Sequence, residues 1–430
     1  MTRLSRREFL RRAGVGAGAL GIGALLVACG EDEGTPSFTD EPSGILNFAN
    51  WPLYIDKEKV ADGRFVRPSL AAFTEQTGIQ VNYREVIPDA DVFFRQIEPY
   101  LAAGQPTGWD IVVITNGITL TKMKNLGYLV ELPAGMRPNF DAHAGSFVRD
   151  PAYDVGNRYS MAWQSGVTGI AYDPEVTGRP ITSLGELFSE EFAGQVGMFG
   201  DIVDMPNLAL LASGVSPEDS TEDDWRTAAE LLVLQRDSGV LADYYSSNYI
   251  PALKRGDVAI TMAWSGDIFA AKLGKDLPEQ IEFVVPDEGA LLWTDAIVIP
   301  EGATHLADAV TYMDSVYEPK VAAQIAQYVN YITPVPEAQP EIVRMAESVD
   351  DPAERERLLA VAGSPLVFLT DEMAGNLHEY RELVTDEEAV AWEATFRTVF
   401  EGGWSAGARE SFHKGPTNGR LPAETISARL

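Results

Sequence analysis

The stretch LLWTDAIVIP, residues 291–300, is apolar almost throughout and reads as a buried strand with one residue out of place, Asp295. Strand side chains alternate between faces, so Trp293 and Asp295 point the same way. A lone buried carboxylate is costly unless something cationic meets it. An indole and a carboxylate sharing one face of a buried strand therefore raise the expectation of a positively charged group beside them.

The segments before this strand alternate in the α/β manner. ILNFANW (45–51) reads as a strand, a helical stretch over Pro68–Gln76 stops at Gly78, and IQVNYREV (79–86) reads as a second strand. An amphipathic piece over Asp91–Ala103 leads to the buried strand WDIVVIT (109–115). This β-α-β-α-β order predicts a parallel sheet covered by helices, with ligands at the C-terminal strand ends. A second α/β series follows. Its strands are GVTGIAYD (166–173), GQVGMFG (194–200), DVAITMAW (257–264) and IEFVVP (281–286). Its helix STEDDWRTAAELLVLQRD (220–237) has Ser220 or Thr221 as cap and acids in the first turn. EEAVAWEATFRTVF (387–400) reads as a late helix. A chain of 430 residues suits two such domains.

The formal net charge of −31 argues against nucleic acid and against electrostatic binding to anionic lipid. It suits a cationic ligand, and equally an acidic surface kept for solubility or salt tolerance. The N-terminus carries Arg6-Arg7 ahead of an apolar Gly/Ala run over Ala13–Ala28, the pattern of a signal peptide over 1–28. SRREFL resembles a twin-arginine export signal, and Leu26-Val27-Ala28-Cys29 resembles a bacterial lipobox, which implies lipid on Cys29. Cys29 is the single cysteine, so an intrachain disulfide and a multi-cysteine zinc site are excluded. The polar, acidic segment 30–43 reads as a flexible tether with a reach of roughly 20 Å.

Aromatics and acids gather at predicted strand ends: Trp51 and Tyr54 in NWPLY, Asp201 and Asp204 in FGDIVDMP, Trp264 and Asp267 in AWSGD, and the pair Trp293 and Asp295. Ring faces attract cations and carboxylates give charge-assisted hydrogen bonds to ammonium groups, so the set suits an elongated polyamine. Taken singly, each Trp also fits a core position and each Asp a turn or helix cap, the latter for Asp201 and Asp204 before Pro206. GWSAG (403–407) has the G-x-S-x-G pattern, but a helical run precedes it and no Asp follows Ser405, so a nucleophile elbow is not expected. His143, His305, His378 and His413 show no metal-ligand spacing, so neither metal nor cofactor is expected. Acid pairs with aromatic platforms also describe sugar sites, which leaves a secreted carbohydrate-active enzyme as an alternative, and a ligand-sensing lipoprotein as another.

The mature chain resembles the substrate-binding proteins of spermidine/putrescine ABC transporters. The matching runs, in order, are LNFANWPLYID, DIVV, WQSGVTGIAYD, SLGELFSEEFAGQVGMFGD, GDVAITMAWSGD, IEFVVPDEGALLWTDAIVIP and VNYITP. The resemblance implies no enzymatic activity. It implies a type II periplasmic-binding-protein-like α/β fold with a cleft between two lobes, the first over 44–163 and 298–337, the second over 164–297 and 338–430. The implied crossings lie near Trp163–Gly166, Ile297–Pro300 and Pro334–Pro340. Trp51 and Tyr54 fall on cleft aromatics of the first lobe, Asp201 on a ligand-facing acid, and Asp204 on an acid that is often Glu. Trp264, Trp293 and Tyr331 fall on the other aromatic walls, Asp295 on the amine-binding acid, and Asp267 on an acid of putrescine-type members. After DIVV the family carries Ser and Tyr; here ITNGIT puts Thr115 and Asn116 in place of the Ser and has no Tyr. The implied partners are a polyamine or another organic cation, a permease powered by an ATPase, and the membrane through Cys29. The implied location is the outer face of the cell membrane.

Overall fold

The structure, a computed structural model, describes residues 37–60 and 62–400. Strand β1 (Ile45–Asn50) is followed by α1 (Pro68–Thr77), β2 (Gln80–Glu85), α2 (Ala90–Ala102), β3 (Ile111–Thr115) and α3 (Ile118–Asn125). Helix α1 begins at a proline, whose missing N–H costs nothing in the first turn, and stops at Gly78 in the left-handed region. Next come β4 (Ser160–Tyr172), β5 (Val196–Phe199), α4 (Asp204–Ala212), α5 (Glu222–Asp237), β6 (Leu241–Tyr245) and α6 (Tyr249–Arg255). They are followed by β7 (Ile260–Trp264), α7 (Ser265–Leu273), β8 (Glu282–Val284) and β9 (Ala290–Val298). The remainder holds α8 (Leu306–Ser315), α9 (Pro319–Val329), α10 (Ala338–Ser348), α11 (Pro352–Ala362), β10 (Leu377–His378) and α12 (Asp386–Phe400). Thr221 and Asp224 form a capping box on α5.

The main sheet runs β2-β1-β3-β9-β4-β7-β5-β6, with β8 on β4 and β10 on β9. Within each half the α/β order gives parallel pairs: β1 with β2 and β3, and β5 with β6 and β7. The sheet as a whole is mixed, because β9 runs antiparallel to β3 and β4, and β4 antiparallel to β7. β4 and β9 are the strands that leave one half for the other, and a strand that returns needs no crossover helix.

Each half has its own core. Leu46, Phe48, Ile111 and Val113 bury one face of the first half against Tyr312, Tyr317 and Ile325, while Ala49, Val112 and Ile114 bury the other against Phe93 and Phe94. The second core joins Ile170, Met198, Ile260 and Met262 to Trp225 and Trp392. Strand β4 gives Met161–Trp163 to the first and Ile170–Tyr172 to the second. Strand β9 gives Leu291 and Trp293 to the second, and Ala296–Val298 to the first. The change of core on β9 thus precedes the Ile297–Pro300 crossing inferred from sequence.

Two further boundaries differ from the sequence reading. Helices α10 and α11 bury Ala338, Ile342, Leu358 and Val361 in the first core, and the chain joins the second core only at Tyr380. A return at Pro334–Pro340 is therefore too early. The tether read over 30–43 is also too long: Phe38 packs against the first core, and the Ser43 and Gly44 N–H groups donate to Asp308 of α8 at 2.8 and 2.9 Å. Among the described residues no helix is long and apolar enough to cross a membrane.

Candidate functional site

Strand β9 brings Asp295 to the middle of the sheet, between Thr115 on β3 and Gln164 on β4. Thr115 Oγ1 donates to Asp295 Oδ1 at 2.5 Å. Burial pushes this carboxyl up to about 6, against the opposing effect of the Thr115 and Tyr54 hydroxyls. The buried Tyr54 hydroxyl faces the same carboxylate without a bond of regular geometry; burial and then the charge of Asp295 raise it well above the usual phenol range. Tyr54 is fixed through its backbone, because the Trp163 indole N–H donates to its carbonyl at 3.0 Å.

Trp293, two residues before Asp295, lies over Gly166. A Cβ at 166 would stand 2.3 Å from the ring, so this approach requires glycine. The Trp293 N–H donates to Thr168 Oγ1 at 3.1 Å, and Thr168 donates to Asp204 Oδ1 at 2.5 Å. Asp204 also accepts the Tyr380 hydroxyl at 2.7 Å and the Trp264 N–H at 3.3 Å. Its carboxyl is raised by burial, which outweighs those three donors. Asp201 lies just ahead of α4 and accepts the Val203 and Asp204 N–H groups at 2.8 and 2.6 Å. Burial, and next the charge of Asp204, push Asp201 up to about 7.

Asp267 stands in the first turn of α7 and accepts the Tyr331 and Tyr249 hydroxyls at 2.7 and 3.1 Å. Burial raises it as well. Tyr249 in turn accepts the Trp264 backbone N–H at 3.2 Å. Tyr331 is placed by its neighbour Ile332, which exchanges two 2.8 Å backbone bonds with Ser165 of β4. Its ring lies 5.7 Å from Tyr54 and 5.4 Å from Trp293, over Gly266.

The contacts close a circuit. Tyr331 leads through Trp293, Thr168, Asp204, Trp264, Tyr249 and Asp267 back to itself, with Tyr54 and Asp295 along one side. Three carboxylates share it, and no lysine or arginine is among the groups that shift them. Such a set can hold ammonium groups on its acids and methylenes on its rings. Among the described residues no group of His, Cys, Asp and Glu could hold a metal ion.

The structure brings Tyr54, Thr115, Asp204, Trp264, Asp267, Trp293, Asp295 and Tyr331 into one constellation. Three others stand outside it, and Asp201, engaged with backbone N–H groups at the entry to α4, is one. Asn116 clamps the backbone of Thr294, accepting its N–H and donating to its carbonyl at 2.9 Å each. Trp51 packs against both cores of the first half. Sequence reading missed Gln164, Thr168, Tyr249 and Tyr380. Outside the circuit the halves touch where Gly117 nears Val203 and Tyr380, where Thr121 donates to Glu382, and where the Asn125 amide donates to the Val384 carbonyl at 2.8 Å. Cys29, the signal peptide and the GWSAG run lie outside the described residues.

Residues 69–355 match the model of the bacterial extracellular solute-binding proteins. The chain belongs to that family. It is therefore a solute-binding protein and not an enzyme, and it has the family's two-lobed type II fold. Among similar proteins, the spermidine/putrescine-binding periplasmic protein 1 of Haemophilus influenzae is 27% identical over 77% of this chain and 87% of its own. The putrescine/agmatine-binding protein of Pseudomonas aeruginosa is 27% identical over 62% of this chain and 75% of its own. The spermidine/putrescine ABC transporter substrate-binding protein of Streptococcus pneumoniae superposes with a TM-score of 0.64 at 22% identity, over 83% of this chain and 98% of that one.

Proposed function

We propose that this solute-binding protein captures a linear polyamine of the putrescine or spermidine class outside the cytoplasm and delivers it to an ABC permease. The observation that carries this reading is the set of three buried carboxylates, Asp204, Asp267 and Asp295, joined by aromatic walls and left without a cation of the protein's own. The names of the relatives point the same way. Asp295, with Thr115 and Tyr54, neutralises one ammonium end. Asp204 and Asp267, with Trp264, Trp293 and Tyr331, line the rest of the path. A cation over a ring gains ~0.5–1 kcal/mol when exposed and ~2 kcal/mol or more when desolvated.

Closure follows from where the residues come from. Tyr54 and Thr115 belong to the first half, and Asp204, Asp267 and Trp264 to the second. A ligand that touches both sets binds the closed arrangement better, and so shifts the population toward it. The closed form is what a permease would read.

The N-terminal segment belongs to the same proposal: export on a twin-arginine signal, cleavage before Cys29, and lipid on Cys29 that holds the domain at the outer face of the membrane. Cys29→Ala moves the protein from the membrane to the soluble fraction in that case, and its unchanged partition would overturn the anchor. The ligand is tested by calorimetric titration of the ligand-stripped domain beginning after Cys29. Putrescine and spermidine are expected to bind saturably at about one per chain, and a betaine and an oligosaccharide are not. A polyamine titration without heat, beside a saturable oligosaccharide, would overturn the reading.

A further inference from the structure

Gln164 has no role in the proposal so far, yet its position is unusual. It is 2% exposed and sits on β4 directly across from Asp295 on β9. Cross-strand partners share a face, with Cβ atoms about 5 Å apart, so its side chain and the Asp295 carboxylate face the same space. The register slips here: Asp295 pairs with Gln164 but Ala296 pairs with Ala162, which leaves Trp163 as the extra residue of a bulge. Gln164 Nε2 donates to the Trp163 carbonyl at 2.5 Å. That bond fixes the amide, since the opposite orientation would set two carbonyl oxygens against each other. The remaining atom, Gln164 Oε1, is buried and has no hydrogen-bond partner. A buried acceptor left unmade costs free energy that a donor would recover.

Resting on the polyamine reading above, we infer that Gln164 Oε1 accepts an N–H from the same ammonium group that Asp295 neutralises, and so selects primary amine ends. A primary ammonium carries three N–H donors, more than one carboxylate already engaged by Thr115 takes up. A neutral second acceptor suits this place, because a further carboxylate beside Asp295 would add repulsion between like charges. The bulge makes the arrangement possible: the Trp163 carbonyl takes up an amide N–H of Gln164 and leaves its oxygen free to accept. Ligands that keep the charge but lose N–H groups would leave Oε1 unpaired and bind less well.

The test uses symmetric diamines of one length that differ in N–H count: putrescine, N,N′-dimethylputrescine and N,N,N′,N′-tetramethylputrescine. The wild-type domain is expected to lose affinity at each step. Gln164→Met, similar in size, is expected to shrink the putrescine-to-tetramethyl affinity ratio about tenfold. Reading a ratio separates the role from mere support of the bulge, which would lower both affinities together. A wild-type series that is flat in N–H count, or a ratio unmoved by Gln164→Met, overturns the assignment. Failure of wild type to bind any of the diamines is a different result: it sinks the polyamine reading, and this inference with it.

Discussion

Two kinds of buried aspartate lie in this protein, and their hydrogen-bond donors set them apart. Asp154 accepts from the Arg158, Tyr159 and Ser160 backbone N–H groups and the Ser160 hydroxyl, at 2.7–3.2 Å. Asp110 takes the Asn47, Thr304 and His305 N–H groups as well as the His305 ring. Asp204, Asp267 and Asp295 take no backbone N–H among their hydrogen bonds. Their donors are Thr, Tyr and Trp side chains from separate elements. A carboxylate fed by backbone N–H groups is part of how the chain turns. One fed by side-chain hydroxyls and indoles from separate elements ties no turn together, and fits the ligand role proposed for it. Asp201, which takes backbone N–H groups at the entry to α4, falls in the first class although its sequence position matches a ligand-facing acid.

The sharpest way to break that contrast is a pair of substitutions. Asp295→Asn is expected to weaken diamine binding at least about a hundredfold, since it leaves an ammonium buried without its counter-charge, with little change in melting temperature. Asp154→Asn is expected to do the reverse, lowering the melting temperature and leaving the affinity alone. Calorimetry and thermal melts on both variants decide it; exchanged outcomes would mean that donor type says nothing about role.

Next in size is the pH response. Carboxyls raised on folding stabilise the ligand-free protein fully below their unfolded pKa, and this contribution is lost as pH rises through the folded value. For Asp295 and Asp201 the loss therefore runs up to about 6 and about 7. The contribution of these groups to the melting temperature of the ligand-free protein falls from about pH 4, the ordinary carboxylate range, to about pH 7. Diamine affinity moves the other way, dropping roughly tenfold per pH unit below about 6, where a proton competes for Asp295. Affinity flat from pH 5 to 8 would remove Asp295 from the site.

A steric test follows. Gly166→Ala drives a methyl group to 2.3 Å from the Trp293 ring, so the ring must move. The expectation is about 1–3 kcal/mol of lost stability together with weaker binding. The smallest effect belongs to Trp264→Phe, which keeps a ring beside Phe199 but loses the N–H to Asp204. A loss of affinity of roughly fivefold is expected, and none at all would make Trp264 a core residue only.

Much of this was legible in the sequence. Apolar runs and α/β alternation predicted the strands at Ile45–Asn50, Ile111–Thr115 and Ala290–Val298 and helices α1, α2 and α5 to within a few residues. Trp293 and Asp295 stood out because a carboxylate interrupts an apolar strand. Thr168 did not, since Thr is an ordinary strand former and its role arises only when α4 brings Asp204 to it. Tyr380 lies between helices in a stretch with no periodicity, so nothing local marks it. Gln164 depends on a bulge, which is a property of two strands rather than one. The antiparallel entry of β9 and the packing of α10 and α11 on the first half are likewise pairings between distant segments.

The junction at Ser43 and Gly44 has a mechanical consequence. Those N–H groups grip Asp308 on α8, which belongs to the first core, while β4 and β9 carry the chain across to the second. Tension arriving along the chain from upstream is thus taken up by the first half before it reaches either spanning strand. If the chain is held from its N-terminal side, as the proposed anchor requires, the load falls on the first half alone, and opening and closing of the second half against it are left undisturbed.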